Sequence, residues 1–117
     1  MSLNFTAVNT SEHDNGAALG SLSHENATVG SFKYYWSDES DNFYVANDIL
    51  YLGANWHYDF EEQEYRKLND NNGWNSFQVA DVPVKYTDIN GNEQWTDVLK
   101  DTLLFSDINE TLSLKSI

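Results

Sequence analysis

The sequence predicts an all-β fold, a two-layer antiparallel Greek-key β-sandwich of about seven short strands. Three observations carry that prediction. The chain holds seven Tyr, six Phe and four Trp, and such rings fit a pleated, half-buried surface. Apolar residues alternate with polar ones instead of recurring at helical spacing. Turn-forming Asn, Asp and Gly punctuate the chain at short intervals. A chain of 117 residues has room for one core, so residues 1–117 read as a single domain.

Taken in order, Phe5 to Val8 and Ala17 to Leu22 form two short strands around a loop at Glu12 to Gly16. Phe32, Tyr34 and Trp36 share one face of the next strand, with Lys33 and Tyr35 opposite, so Trp36 is expected in the core. Asn42 to Ala46 and Ile49 to Leu52 are two strands joined by a turn at Asn47-Asp48. The polar segment Glu62 to Asn75, with its run Asn69-Asp70-Asn71-Asn72-Gly73, is expected to be a long excursion between strands. Val82, Val84 and Tyr86 alternate again, and Pro83 on the other face suits an edge or a bulge. Asn90-Gly91 predicts a two-residue hairpin, with the return strand from Gln94. Val98 to Phe105 is read as the last long strand.

Charge narrows the partners. Nineteen Asp and Glu against six Lys and Arg give a formal charge of −13. That field repels phosphate backbones and anionic headgroups and attracts cations. Nucleic acid and membrane insertion are therefore not expected, and calcium is. No Cys is present, which removes disulfides and thiolate metal sites. There is no apolar signal-type run at the start and no stretch long enough to span a bilayer. A secreted parent would carry its signal elsewhere.

Calcium takes six to eight oxygens, so a site needs carboxylates converging from several segments. Glu12 follows the first strand. Asp59 and Glu61 stand two apart in His57-Tyr58-Asp59-Phe60-Glu61, on one side of an extended chain. Asp88 and Asn90 stand at the hairpin, and Asp107, Asn109 and Glu110 follow the last strand. Strand ends alternate between the poles of a sandwich, so distant clusters can meet at one pole. Taken singly, each cluster is equally what turns and solvated surfaces use.

The order of these fragments resembles that of the bacterial cadherin-like domain. The likeness runs from Ser11-Glu12-His13-Asp14-Asn15-Gly16 and the small-residue strand after it, through Phe32-Lys33-Tyr34-Tyr35-Trp36-Ser37-Asp38. It continues with Asn42-Phe43-Tyr44-Val45, Asp48-Ile49-Leu50-Tyr51-Leu52 and the calcium-motif-like Tyr58-Asp59-Phe60-Glu61. Val84-Lys85-Tyr86-Thr87-Asp88-Ile89-Asn90-Gly91 and the linker-like Ser106-Asp107-Ile108-Asn109-Glu110 close it. The resemblance implies a cadherin- or immunoglobulin-like sandwich with a calcium site at one pole. Its implied ligands are Glu12, Asp59, Glu61 and Glu110, with Asp107 and Asn109 in the linker. In the family such a site lies between domains. Ser23-His24-Glu25-Asn26 replaces the family's D-x-D, which deprives Asp88 of its usual partners at the opposite pole. The family's proline after the linker is replaced by Thr111-Leu112.

Other chemistry is sparse. Asp88-x-Asn90-x-Asn92 is like half an EF-hand loop, but Glu93 occupies the place of the sharp-turn Gly, so it reads as a hairpin. His13, His24 and His57 lack zinc-site spacing. No nucleophile motif or phosphate loop occurs, and an enzyme is not expected. Trp56 and Trp74 sit among polar neighbours, as rings that stack on sugars do, or as rings that cap the ends of a core. The leading expectation is a calcium-binding adhesion or spacer module of a bacterial surface or secreted protein. Its partners would be neighbouring repeats or another cell-surface protein. The alternatives are a carbohydrate-binding domain attached to a polysaccharide-acting enzyme, with a polysaccharide as partner, and a ligand-free structural domain.

Overall fold

A computed structural model describes residues 3–36, 42–67 and 76–107. The described chain is all-β, with several antiparallel sheets around one hydrophobic core. The first sheet has the order β1-β3-β6-β5, from β1 (Asn4–Ala7), β3 (Ala18–Ser23), β5 (Phe43–Ala46) and β6 (Ile49–Leu52). The second has the order β11-β10-β4, from β4 (Lys33–Tyr34), β10 (Val82–Thr87) and β11 (Glu93–Val98). A third joins β7 (Trp56–Asp59), β8 (Glu64–Lys67) and β9 (Ser76–Gln78). The last is a parallel pair, β2 (Asn9–Ser11) with β12 (Leu104–Ser106).

Alternation decides which face is buried. Val82, Val84 and Tyr86 point into the core while Pro83 and Lys85 lie outward. Leu50 and Leu52 of β6 do the same, leaving Tyr51 to stack on Tyr44 outside, ring centroids 4.8 Å apart. Leu19 and Leu22 of β3 complete that layer. The centre is aromatic: Tyr65 is fully buried against Phe43, Phe77, Tyr58 and Phe105.

Turn chemistry sets the registers. Asn47 and Asp48 both have positive φ, 52° and 62°, as a type I′ hairpin requires, and they join Ala46 to Ile49. Asp48 also receives the Gly30 amide at 2.6 Å and the Phe32 amide at 3.2 Å, tying the hairpin to the approach of β4. Gly20 lies where the first sheet folds closest. A Cβ there would come within 2.4 Å of the Phe5 ring and 2.6 Å of the Thr6 carbonyl.

Four expectations change. The β10–β11 turn is not a two-residue loop: Asp88 and Asn92 still pair, and Gly91, at φ +85°, donates its amide to the Asp88 carbonyl. That is the three-residue form with glycine in the left-handed position. Strand β4 stops at Tyr34 and the chain turns, so Trp36 leaves the alternation and is 47% exposed. The stretch Val98 to Phe105 is interrupted by a 3₁₀ turn, Lys100–Thr102, whose first amide is held by Asp81 Oδ1 at 2.8 Å. Finally, the excursion from Glu62 contains β8, so it is in part a sheet; its Asn69 to Gly73 run and Trp74 lie outside the described residues.

Candidate functional site

Three strands deliver carboxylates to one place. Because β2 and β12 run parallel with Ser11 opposite Ser106, the residues that follow, Glu12 and Asp107, leave the pair side by side. The Glu12 amide donates to the Ser106 carbonyl at 3.0 Å. The next amide, that of His13, donates to Tyr58 of β7 at 3.1 Å, which brings the end of β7 alongside. From the turn after β7, the Phe60 amide donates to Glu12 Oε2 at 2.9 Å. Glu61 is the following residue.

Glu12 is the centre of this arrangement. It is 2% exposed, and its other oxygen, Oε1, is sealed from water and has no hydrogen-bond donor among the described residues. The groups beside it are the carboxyls of Glu61 and Asp107, which donate only while they hold a proton. The consequence is a shared proton. The hydrogen bond to Glu12 pushes the Glu61 carboxyl up to about 7, with burial and the Glu12 charge acting the same way. Burial pushes Glu12 upward too, but the hydrogen bonds from Glu61, the Phe60 amide and Asp107 outweigh it and hold Glu12 well below the usual carboxylate range. Once the shared proton leaves, Glu12 faces two further carboxylates, and a cation held there would relieve that repulsion.

Of the ligands expected from the sequence, the structure brings together Glu12, Glu61 and Asp107. Asp59 does not join them. The strand ends at Asp59, so the side-by-side presentation with Glu61 is lost, and its carboxylate receives Arg66 at 3.2 Å and the Glu62 amide at 3.3 Å. Asn109 and Glu110 lie outside the described residues. Sequence reasoning missed His13, whose Nε2 is 3.6 Å from Glu12 Oε2 and close to Glu61 as well. Its adjacency to Glu12 was the available signal. His57 packs against the His13 ring at 5.4 Å, and burial together with the His13 charge lowers its basicity.

The other candidates resolve differently. Asp88 is used by its own turn, receiving the Asn90 and Asn92 amides at 2.9 Å each and the Gln94 amide at 3.1 Å. Trp56 is 6% exposed and packs edge-on against Phe77 at 5.1 Å. It is a core ring and presents no platform to a sugar, which corrects the sugar-stacking expectation at that position. Trp74, its expected companion, is outside the described residues. A groove of about 690 Å³ runs between edge strands β1 and β11, floored by Phe5 and Val98, and it is remote from the acidic cluster in its lining. Among the described residues no helix is long and apolar enough to cross a membrane.

No family model, curated protein or solved structure matches the chain.

Proposed function

We propose that this is a calcium-stabilised spacer or adhesion module of a surface or secreted protein, built on an immunoglobulin- or cadherin-like sandwich. The strand orders support the sandwich. Reading β1, β3, β4, β5, β6, β10 and β11 as strands A to G, the sheets become A-B-E-D and G-F-C, the pairing of an immunoglobulin-type sandwich. On that reading, the β7-β8-β9 sheet is an insertion between E and F.

The single observation that carries the metal reading is Glu12 Oε1, buried, without a donor among the described residues, and set among carboxyls. The carboxylate oxygens fit a hard cation, and His13, which stands within the same cluster, is the group that would suit a transition metal instead. Bound there, calcium supplies the positive charge that three convergent carboxylates lack. Glu12 would hold it from the core side, Glu61 from the turn after β7, and Asp107 from the end of β12. These three carboxylates provide fewer than the six to eight oxygens calcium takes, so water would complete the shell and affinity is expected near ~10⁻⁴–10⁻³ M. The effect is structural: the site fastens the ends of β2, β7 and β12 together and stiffens the exit of the chain.

Thermal melting in millimolar calcium against chelator tests this. The melting temperature should rise with calcium, Glu61→Ala should remove the rise, and His13→Ala should leave it intact. An unchanged wild-type melting temperature sinks the site. A rise that depends on His13 and is reproduced by micromolar zinc would assign a transition metal instead.

A further inference from the structure

The outer face of the β11-β10-β4 sheet carries a second feature, independent of the acidic cluster. Pairing places Lys33, Lys85 and Trp95 in one cross-strand row. Tyr35, whose amide bonds the Pro83 carbonyl at 3.0 Å, begins the adjacent row. The Tyr35 ring meets Trp36 edge-on at 4.7 Å and Trp95 at 5.9 Å. All three rings are exposed: Tyr35 39%, Trp36 47% and Trp95 61%. We infer that this face binds a carboxylated polysaccharide, with Tyr35, Trp36 and Trp95 stacking on sugar rings and Lys33 pairing with a uronate carboxylate.

Composition and charge choose that occupant. A packed protein interface has an apolar centre of interdigitating side chains, whereas here the outward strand positions hold Lys33, Lys85, Thr87, Glu93 and Asp97 around the rings, with Pro83 the one aliphatic side chain among those described positions. Rings with a polar surround suit a ligand with C–H faces and a polar rim. The sign is set locally, by Lys33: Glu93 faces Lys85 and Asp97 stands in the adjacent row, so the attraction for a carboxylate falls at the Lys33 end of the row. The whole chain has six Lys and Arg against nineteen acids, yet two of the six stand in one row beside Trp95. Lys85 is 3.9 Å from Glu93, while Lys33 makes no ion pair among the described residues. From Lys33 to Trp95 is two strand spacings, about 10 Å, a span for an extended chain of sugars and not for a single ring. Salt limits repulsion from the rest of the acidic surface to roughly 8 Å at physiological strength, so the face acts locally.

The test is affinity electrophoresis of the full chain in native gels containing polygalacturonate or alginate, with neutral dextran and a neutral β-glucan as the other arms. Chelator is present throughout, which removes calcium bridging between uronates and Glu12, so failure here is separable from failure of the metal reading. Retardation by the polyuronates alone is expected, weakened roughly tenfold in Trp95→Ala and again in Lys33→Ala, with melting temperatures unchanged. Since Trp95 and Lys33 are exposed, neither variant should fail to fold. Absence of retardation, or retardation that both variants keep, overturns the proposal. Equal retardation by the neutral glycans overturns the assignment of Lys33. Concentration-dependent self-association in sedimentation, lost in Trp95→Ala, would give the face to a second copy of the chain and overturn it also.

Discussion

Replacing Glu12 by Gln should raise the stability of the metal-free protein while abolishing its response to calcium. The amide is isosteric with the carboxylate. Its oxygen can keep the Phe60 amide, now 2.9 Å from Oε2, and its NH₂ group then replaces the donorless Oε1 beside Glu61 and Asp107. A buried charge is removed and a donor is placed among acceptors. A hydrogen bond to a charged group contributes about 1.5–3 kcal/mol, and weakening the Phe60 bond offsets roughly 1 kcal/mol of it. The net gain of about 1 kcal/mol corresponds to roughly 5 °C in melting temperature for a domain near this size. The measurement belongs at pH 8, above the value of about 7 to which the Glu61 carboxyl is raised, so that the shared proton is gone. In chelator, Glu12→Gln should melt above wild type. At calcium near 100 times the dissociation constant, the wild type gains about 2.7 kcal/mol and should overtake it. That crossing of the two melting curves is the signature. If Glu12→Gln melts below wild type in chelator, the protein itself compensates the Glu12 charge and the reasoning fails.

Two further outcomes test the surrounding structure. Asp88 is held below the ordinary carboxylate value, first by the Asn92 amide and then by Gln94, so the stability it contributes is present above that ordinary value and is lost as pH falls through the depressed one. The melting-temperature gap between wild type and Asp88→Asn should thus be widest near neutrality and close as the pH falls below the ordinary carboxylate value through the depressed one; a gap constant with pH would contradict the turn assignment. Tyr65→Phe removes a fully buried hydroxyl that lacks a partner among the described residues. It should leave stability unchanged or raise it by up to about 1 kcal/mol in urea unfolding, and a loss of more than that would mean the hydroxyl is bonded after all.

Where period-two alternation persisted for several residues, the sequence was a good guide. Val82 to Thr87 is a strand with the expected inward residues; Ile49 to Leu52, read as an apolar run after a turn, is also a strand, and Asn47-Asp48 turns the chain between β5 and β6. Alternation misled where the strand was too short to sustain it: β4 has two residues, so Trp36 escapes to solvent although Phe32 and Tyr34 are buried. Trp56 failed for the opposite reason, since its polar neighbours hide the alternation with Tyr58 that puts both rings inside. Strand β8 was invisible because Glu64, Arg66 and Lys67 surround one apolar residue, Tyr65, which the core nonetheless encloses completely. The convergence of Glu12, Glu61 and Asp107 was legible as an ordering of acidic fragments. What no local pattern encodes is the burial of Glu12, because that depends on the parallel pairing of β2 with β12, segments more than ninety positions apart.

That parallel pair has a mechanical meaning. Tension entering the chain ahead of Asn9 and leaving it beyond Ser106 pulls two parallel neighbours in opposite directions along their shared axis. The ladder is then loaded in shear, its bonds straining together, unlike a hairpin, which peels one rung at a time. Glu12 and Asp107 stand at the end of that ladder, where a cross-link would resist sliding most directly. A cation held there would make the strength of this ladder depend on the ions around it.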